Sequence, residues 1–151
     1  MTRLVENSVT IEASPDEVWR ALTDPDRMKR WIAEPVMRIE VNTDWKIGSP
    51  IVVNGHHNNV DFENKGIVLE FEPRSILRYS HLSSISGLAD KSENYTIIEF
   101  RLVQVENNST LLTVNTFNFP AESAFEHWRF YWRITLGVLK QFIENARSIL
   151  T

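Results

Sequence analysis

The 151-residue sequence contains no cysteine. Disulfide staples, thiolate nucleophiles and cysteine-ligated zinc are therefore excluded, and a reducing compartment is expected. Basic residues show no surplus: 16 Lys and Arg stand against 20 Asp and Glu, a net charge of -4. Gripping a phosphate backbone needs a basic excess or stripe, so nucleic acid is not an expected partner. No run of about 20 apolar residues occurs, which is the length a membrane-crossing helix needs. The segment after Met1 lacks the apolar centre of a secretory signal. A soluble cytoplasmic protein without a membrane partner is the expectation. Glycine-rich phosphate loops, nucleotide fingerprints and H-x-x-x-H or H-E-x-x-H spacings are missing as well. Neither a cofactor nor a metal is expected.

What is present is a globular composition, 42% hydrophobic and 24% charged. A chain this long buries roughly 70% of its unfolded surface. One domain over residues 1–151 is expected. Leu4 to Glu12 alternates and is rich in β-formers, which predicts a strand. Ser14-Pro15-Asp16-Glu17 combines an N-cap, a first-turn proline and an acid three residues after the cap, which opens a short helix from Pro15 to Leu22. Asp24-Pro25 repeats the signal for a second helix ending near Trp31. From Val36 to Asn118 strands alternate with turn signals. Strands are expected at Val36–Val41, Ile51–Asn54, Val60–Phe71, Ile76–Leu82, Tyr95–Val105 and Leu111–Phe119. In the third of these Ile67, Leu69 and Phe71 share a face. Gly55-His56-His57-Asn58-Asn59 reads as a polar break, and Asn107-Asn108 as a hairpin turn. Short connections imply an antiparallel meander.

After Pro120, apolar residues recur every three or four positions: Phe125, Trp128, Trp132, Leu136, Leu139, Ile143, Ala146 and Leu150. This predicts a helix of roughly 43 Å whose apolar face lies on the sheet. The fold class is α+β: a curved antiparallel sheet of six to seven strands gripping a long C-terminal helix, with two short helices after the first strand. A gap between the sheet and the helix is the natural place for an apolar pocket.

These residues resemble a known family. Ala13-Ser14-Pro15-Asp16-Glu17-Val18-Trp19, then Thr23-Asp24-Pro25 and Trp31, resembles the opening of START-like (SRPBCC) helix-grip proteins. The branch is the one related to the activator of the heat-shock-protein-90 ATPase. Its marks are Asp44-Trp45-Lys46-Ile47-Gly48-Ser49, Lys65-Gly66-Ile67-Val68-Leu69-Glu70-Phe71-Glu72-Pro73 and Leu77-Arg78-Tyr79-Ser80-His81. They continue with Ser86-Gly87-Leu88-Ala89-Asp90, Glu93-Asn94-Tyr95, Ser109-Thr110-Leu111-Leu112-Thr113-Val114, and Trp132 with Leu136, Leu139-Lys140 and Ile143-Glu144. One departure is Asn108-Ser109-Thr110-Leu111, where the family usually has Gly in place of Ser109. Asn108 tolerates the positive φ the turn needs. The resemblance implies a helix-grip fold with a cavity under the last helix. Relatives in the superfamily hold lipids, sterols, hormones or polyketides there. Some act as cyclases or aromatases, and a co-chaperone carries the same domain.

The leading expectation is binding of a small apolar or aromatic molecule, with Trp31, Tyr79, His81, Thr116, Trp128 and Trp132 as cavity-lining candidates. The alternatives are a cyclase or aromatase using His81 as acid or base, and a chaperone-binding module, monomeric or homodimeric. Each candidate has a plainer reading. The Trp128/Trp132 pair, with Phe125 and Tyr131 beside it, has the spacing of ordinary core. His56-His57 with Asp61 and Glu63 reads as a solvated loop rather than a metal site. His127 reads as a partly exposed helical residue. Arg27, Lys29 and Arg30 read as a solvated helix face, and Trp45 as a plug at the sheet edge. Ser83 to Glu93 is long for a hairpin connection, so it is either a lid or a surface excursion.

Overall fold

The computed structural model describes residues 3–150, and all side chains among these except those of 147–150. Strand β1 (Leu4–Ile11) is followed by helices α1 (Pro15–Thr23) and α2 (Pro25–Trp31). Six strands come next: β2 (Glu40–Thr43), β3 (Pro50–His57), β4 (Val60–Glu72), β5 (Ile76–Ser83), β6 (Thr96–Glu106) and β7 (Ser109–Phe117). Helix α3 (Glu122–Leu150) closes the chain. All seven strands form one antiparallel sheet in the order β1-β7-β6-β5-β4-β3-β2. This is the curved α+β helix-grip architecture.

The caps explain the first helices. The Ser14 hydroxyl accepts from the Glu17 amide at 3.2 Å and donates to the Glu17 carboxylate. Asp24 does two jobs. Its amide donates to the Arg20 carbonyl and ends α1, and its carboxylate accepts from the Asp26 amide to begin α2.

Three expectations need correction. Val36–Val41 is not a strand. Pro35–Met37 forms a 3-10 turn, Arg38 takes φ 48° and β2 starts at Glu40. A proline cannot donate to a sheet ladder, and the left-handed Arg38 breaks the extended run. Second, the polar stretch Gly55–Asn59 does not interrupt β3, which continues through His57. Asn58 and Asn59 alone make the turn, both with positive φ. That is the pattern of a type I′ hairpin loop, for which asparagine is suited. Third, Ile67 and Leu69 point outward and are 47% and 36% exposed. The buried face carries Val68, and a bulge between Val68 and Glu70 flips the alternation so that Phe71 returns to the core. A bulge adds one residue to one strand and so reverses the phase of everything after it.

The core lies between the concave sheet face and the helices. Phe100 is buried at its centre, with Trp132 at 5.6 Å and Trp31 at 6.4 Å edge-to-face. The α3 stripe holds from Phe125 to Ile143, whereas Ala146 is exposed and the Leu150 side chain lies outside the described residues. Trp45 is not a sheet-edge plug. It packs flat on Phe71 at 5.8 Å and donates its indole N–H to the Thr23 carbonyl at 2.6 Å, joining α1 to the sheet.

Candidate functional site

A cavity of about 720 Å³ opens between α3, the end of α2 and the concave face of β3 to β6. Each wall has a local cause. On β5, Tyr79 and His81 are two residues apart and therefore share the concave face. On β4, Phe62 and Asn64 share that face in the same way, and Ile98 on β6 extends it. On α3, Trp128 and Trp132 lie one turn apart and their indoles stack at 6.1 Å and 24°. The Trp128 indole meets the His81 ring edge-to-face at 4.9 Å, so helix and sheet touch at one side of the cavity. At the end of α2, the Trp31 indole N–H donates to the Ala21 carbonyl at 2.8 Å, which fixes this ring as a wall. Tyr131 donates its hydroxyl to the Ile32 carbonyl at 2.6 Å and ties α3 to the segment after α2.

The mouth is apolar. Phe130, Ile134 and Val138, spaced four apart on α3, are 62%, 51% and 43% exposed and line the opening. Such spacing puts all three on one helix face. Ile85, also exposed, lines the cavity as well. Arg30 and Glu34 sit on the rim, both exposed. Glu34 is the sole carboxylate among the described lining residues.

The interior is electrically neutral. Burial and the nearby His127 push His81 down to about 4, so it is uncharged at neutral pH. Burial, reinforced by Tyr131, raises the pKa of Tyr79 well above the usual phenol range. Burial likewise raises Tyr131, partly opposed by Thr135. The one buried carboxylate on the sheet, Glu99, is 5% exposed but lies on the other face. Burial works to raise its pKa, but Arg101, Arg78 and Asn115 donate to it and hold it low.

Residues 12–144 match the family model described as activator of Hsp90 ATPase homolog 1-like protein. The chain belongs to this family. Among solved structures, it is similar to ChR145 from Cytophaga hutchinsonii, with 32% identity over 97% of both chains and a TM-score of 0.79. It is also similar to CalU16 from Micromonospora echinospora, with 26% identity, 97% of this chain, 80% of that one and a TM-score of 0.68. The Aha1 dimer from Colwellia psychrerythraea shares the fold at 23% identity, covering 94% and 96%, with a TM-score of 0.72. No curated protein matches the chain. The activator of Hsp90 ATPase homolog 1-like family thus accounts for the helix-grip architecture around the cavity.

The geometry distributes the sequence candidates unequally. Trp31, Tyr79, His81, Trp128 and Trp132 all line the cavity. Thr116 does not. It is fully buried on β7 beside Ile98, and Ile98 takes the wall position. His56 faces Asp61 across the β3–β4 hairpin at 2.8 Å, and His57 contacts Asn58 at 3.1 Å. No group of three or more metal-ligating side chains is assembled among the described residues. Arg27 and Lys29 pair with Asp24 and Asp26 on the α2 surface. Of the stretch from Ser83 to Glu93, only Ser83, the last residue of β5, and Ile85 line the cavity. The remainder is fastened to the outer face, where Asp90 pairs with Lys65 at 2.7 Å and accepts from the Tyr95 hydroxyl at 2.5 Å.

Sequence reading missed Phe62, Asn64 and Ile98, and also the segment from Ala33 to Ile39. A signal for two of them existed. Phe62, Asn64, Gly66 and Val68 share one parity on β4, opposite to that of Ile67 and Leu69.

Proposed function

We propose that the protein binds a small hydrophobic or aromatic molecule in the cavity beneath α3. The observation that carries this reading is the cavity itself, whose volume of about 720 Å³ lies within the roughly 300–1,000 Å³ typical of small-molecule sites. Trp31, Tyr79, His81, Trp128 and Trp132 are the proposed contacts. Burial of apolar surface, worth about 25 cal/mol per Å², supplies the driving force. Aromatic walls suit this because large rigid rings lose little conformational freedom on contact. Binding is favoured over a cyclase-like reaction because the neutral His81 shares the interior with no carboxylate among the described residues. Paired acid–base catalysis draws on two groups of opposite protonation state at one point, and His81 has no carboxylate partner there among the described residues.

The test is titration with an apolar dye such as 1-anilinonaphthalene-8-sulfonate, followed by dye fluorescence and tryptophan quenching. Native mass spectrometry of the protein purified without organic additives runs beside it. Saturable quenching, weakened by Trp128→Ala, is expected. Linear, unsaturable response together with a bare protein mass would end this reading.

A second reading is a protein-interaction role, and the exposed Phe130, Ile134 and Val138 favour it. Contiguous apolar surface on a helix marks an interaction face when it is large. Membership in a family described by an Hsp90 ATPase activator makes a chaperone the partner to test. Retention on an immobilised Hsp90-type chaperone, lost in Ile134→Glu, supports it. No retention of the native protein removes it. Light scattering with the same variant tells whether that face joins two copies of the chain instead.

A further inference from the structure

We propose that Gly55 and Phe62 together set how large a guest the cavity takes. Gly55 is a positioning residue: it is the seat that holds the Phe62 ring back against the sheet, and a side chain at 55 lifts that ring into the cavity. The proposal deepens the ligand-binding reading above and rests on it.

Gly55 lies within β3 and pairs with Phe62 on β4. A glycine inside a strand weakens it, because it packs no side chain and loses more freedom on ordering than any other residue. Its usual use is a positive φ, but the positive-φ glycines here are Gly48 and Gly87. Backbone conformation is therefore not what Gly55 supplies. Space is. A Cβ built on Gly55 would lie 2.4 Å from the Phe62 Cζ and 2.7 Å from the Ile39 Cδ1. Carbons in good contact sit about 3.5–4.0 Å apart. The ring occupies the place that a side chain at 55 would fill.

The displacement such a Cβ causes has a direction. Ile39 is 6% exposed and packs with Met28 and Val41 in a small cluster separate from the main core. Phe62 is only partly buried against that cluster, and it lines the cavity beside Ile39 and Val53. A close-packed side chain has no room to yield. A ring that borders unfilled volume turns about its own side-chain torsions into that volume. The cavity is bounded by both clusters, with Ile39 and Phe62 from the small one and Tyr79, Trp128 and Trp132 from the main core. Whatever room the Phe62 ring takes up is room taken from the guest.

The experiment is displacement of 1-anilinonaphthalene-8-sulfonate from the full chain by linear primary alcohols from hexanol to hexadecanol. Each buried CH2 tightens binding by about fourfold, until the alcohol outgrows the cavity and the gain stops. The length at which it stops is the readout, and a uniform loss of stability does not move it. Gly55→Ala is expected to stop the gain at a shorter alcohol, weakening the longer ones by about fourfold for each carbon left out. Phe62→Ala is expected to stop it at a longer alcohol. Gly55→Ala combined with Phe62→Ala is expected to behave as Phe62→Ala alone, because the ring that the new Cβ displaces is gone. Thermal melts confirm folding. If Gly55→Ala alone does not fold, the double variant, freed of the clash with the ring, and Phe62→Ala decide the matter. A stopping length unchanged in folded Gly55→Ala, unchanged in Phe62→Ala, or shortened by Gly55→Ala as much without the ring as with it overturns the proposal while the cavity still binds. So does a gain in the native protein that never stops. No saturable dye binding by the native protein ends the ligand-binding reading itself, and this proposal with it.

Discussion

His81 shows how one side chain acquires its chemistry from its surroundings. Its ordinary value of 6.5 falls to about 4 because burial disfavours the imidazolium and His127 lies nearby. In the unfolded chain it takes up a proton first as pH drops. Its stabilising effect is therefore complete above about 6.5 and is lost as pH falls towards 4, by up to ~3 kcal/mol. Glu99 and Glu144 are held below 4.5, so they lose their contribution at lower pH, and the histidine window is separate. Urea unfolding at about pH 7 and about pH 5 is expected to show this loss in the native protein. His81→Gln is expected to flatten most of it. Gly66 matters for a different reason. A Cβ there would lie 1.7 Å from the Ser80 carbonyl oxygen, which is backbone and cannot step aside. Gly66→Ala is expected to destabilise the fold by about 3 kcal/mol, read as a lower urea midpoint.

Among the elements, β1 has an exposed edge that a sheet must cover. Helix α3 covers it with side chains. The Lys140 ammonium donates to the Thr10 carbonyl at 2.6 Å, and the Glu144 carboxylate accepts from the Glu12 amide at 2.7 Å. Lys140 and Glu144 also pair with each other at 2.7 Å, one helical turn apart. Glu144→Ala is expected to cost about 1 kcal/mol. Faster hydrogen exchange at the Glu12 amide than at the amides of β6 is the measurement that checks it. On β4 the lesson concerns phase. Its two ends alternate in opposite senses because of the bulge after Val68, and a single period through Ile67, Leu69 and Phe71 cannot describe both. One unbroken period through the strand leaves the inward parity of Phe62 and Asn64 unread. Strand β3 concealed its own length, since His56 and His57 are polar yet pair normally with Asp61 and Val60.

For the molecule as a whole, five tryptophans are a large apolar load for one core. The fold hides them: four are buried, and Trp45 is half-buried against Phe71. The apolar surplus appears instead at Phe130, Ile134 and Val138, on the lip of the cavity. Substituting exposed residues rarely changes stability by more than about 0.5 kcal/mol. Phe130→Gln with Ile134→Gln is therefore expected to leave the melting temperature nearly unchanged. If this lip is the entrance, dye affinity falls several-fold in the same protein. An unchanged affinity would separate the lip from the cavity's function. Trp132→Ala is the contrasting case. It removes a buried ring against Phe100, and about 3–5 kcal/mol of stability should go with it, visible in a urea melt.

Amphipathic period, caps and asparagine turns are local properties, and they determined the helices, the hairpins and the order of elements. The long stripe from Phe125 to Ile143 demanded a broad apolar surface, and the chain offers just one. Hence a helix gripped by a sheet was legible before any coordinate, and Trp31, Tyr79, His81, Trp128 and Trp132, named from the sequence, lie along the cavity. What tertiary structure decided was where strand phase changes, which face of α3 is left uncovered, and which ring Gly55 makes room for. Those depend on the distance between residues far apart in the chain, such as Ile39 and Phe62, and no local pattern carries that distance. The cavity itself is of this kind, because it is the volume that neither the sheet nor the helix fills.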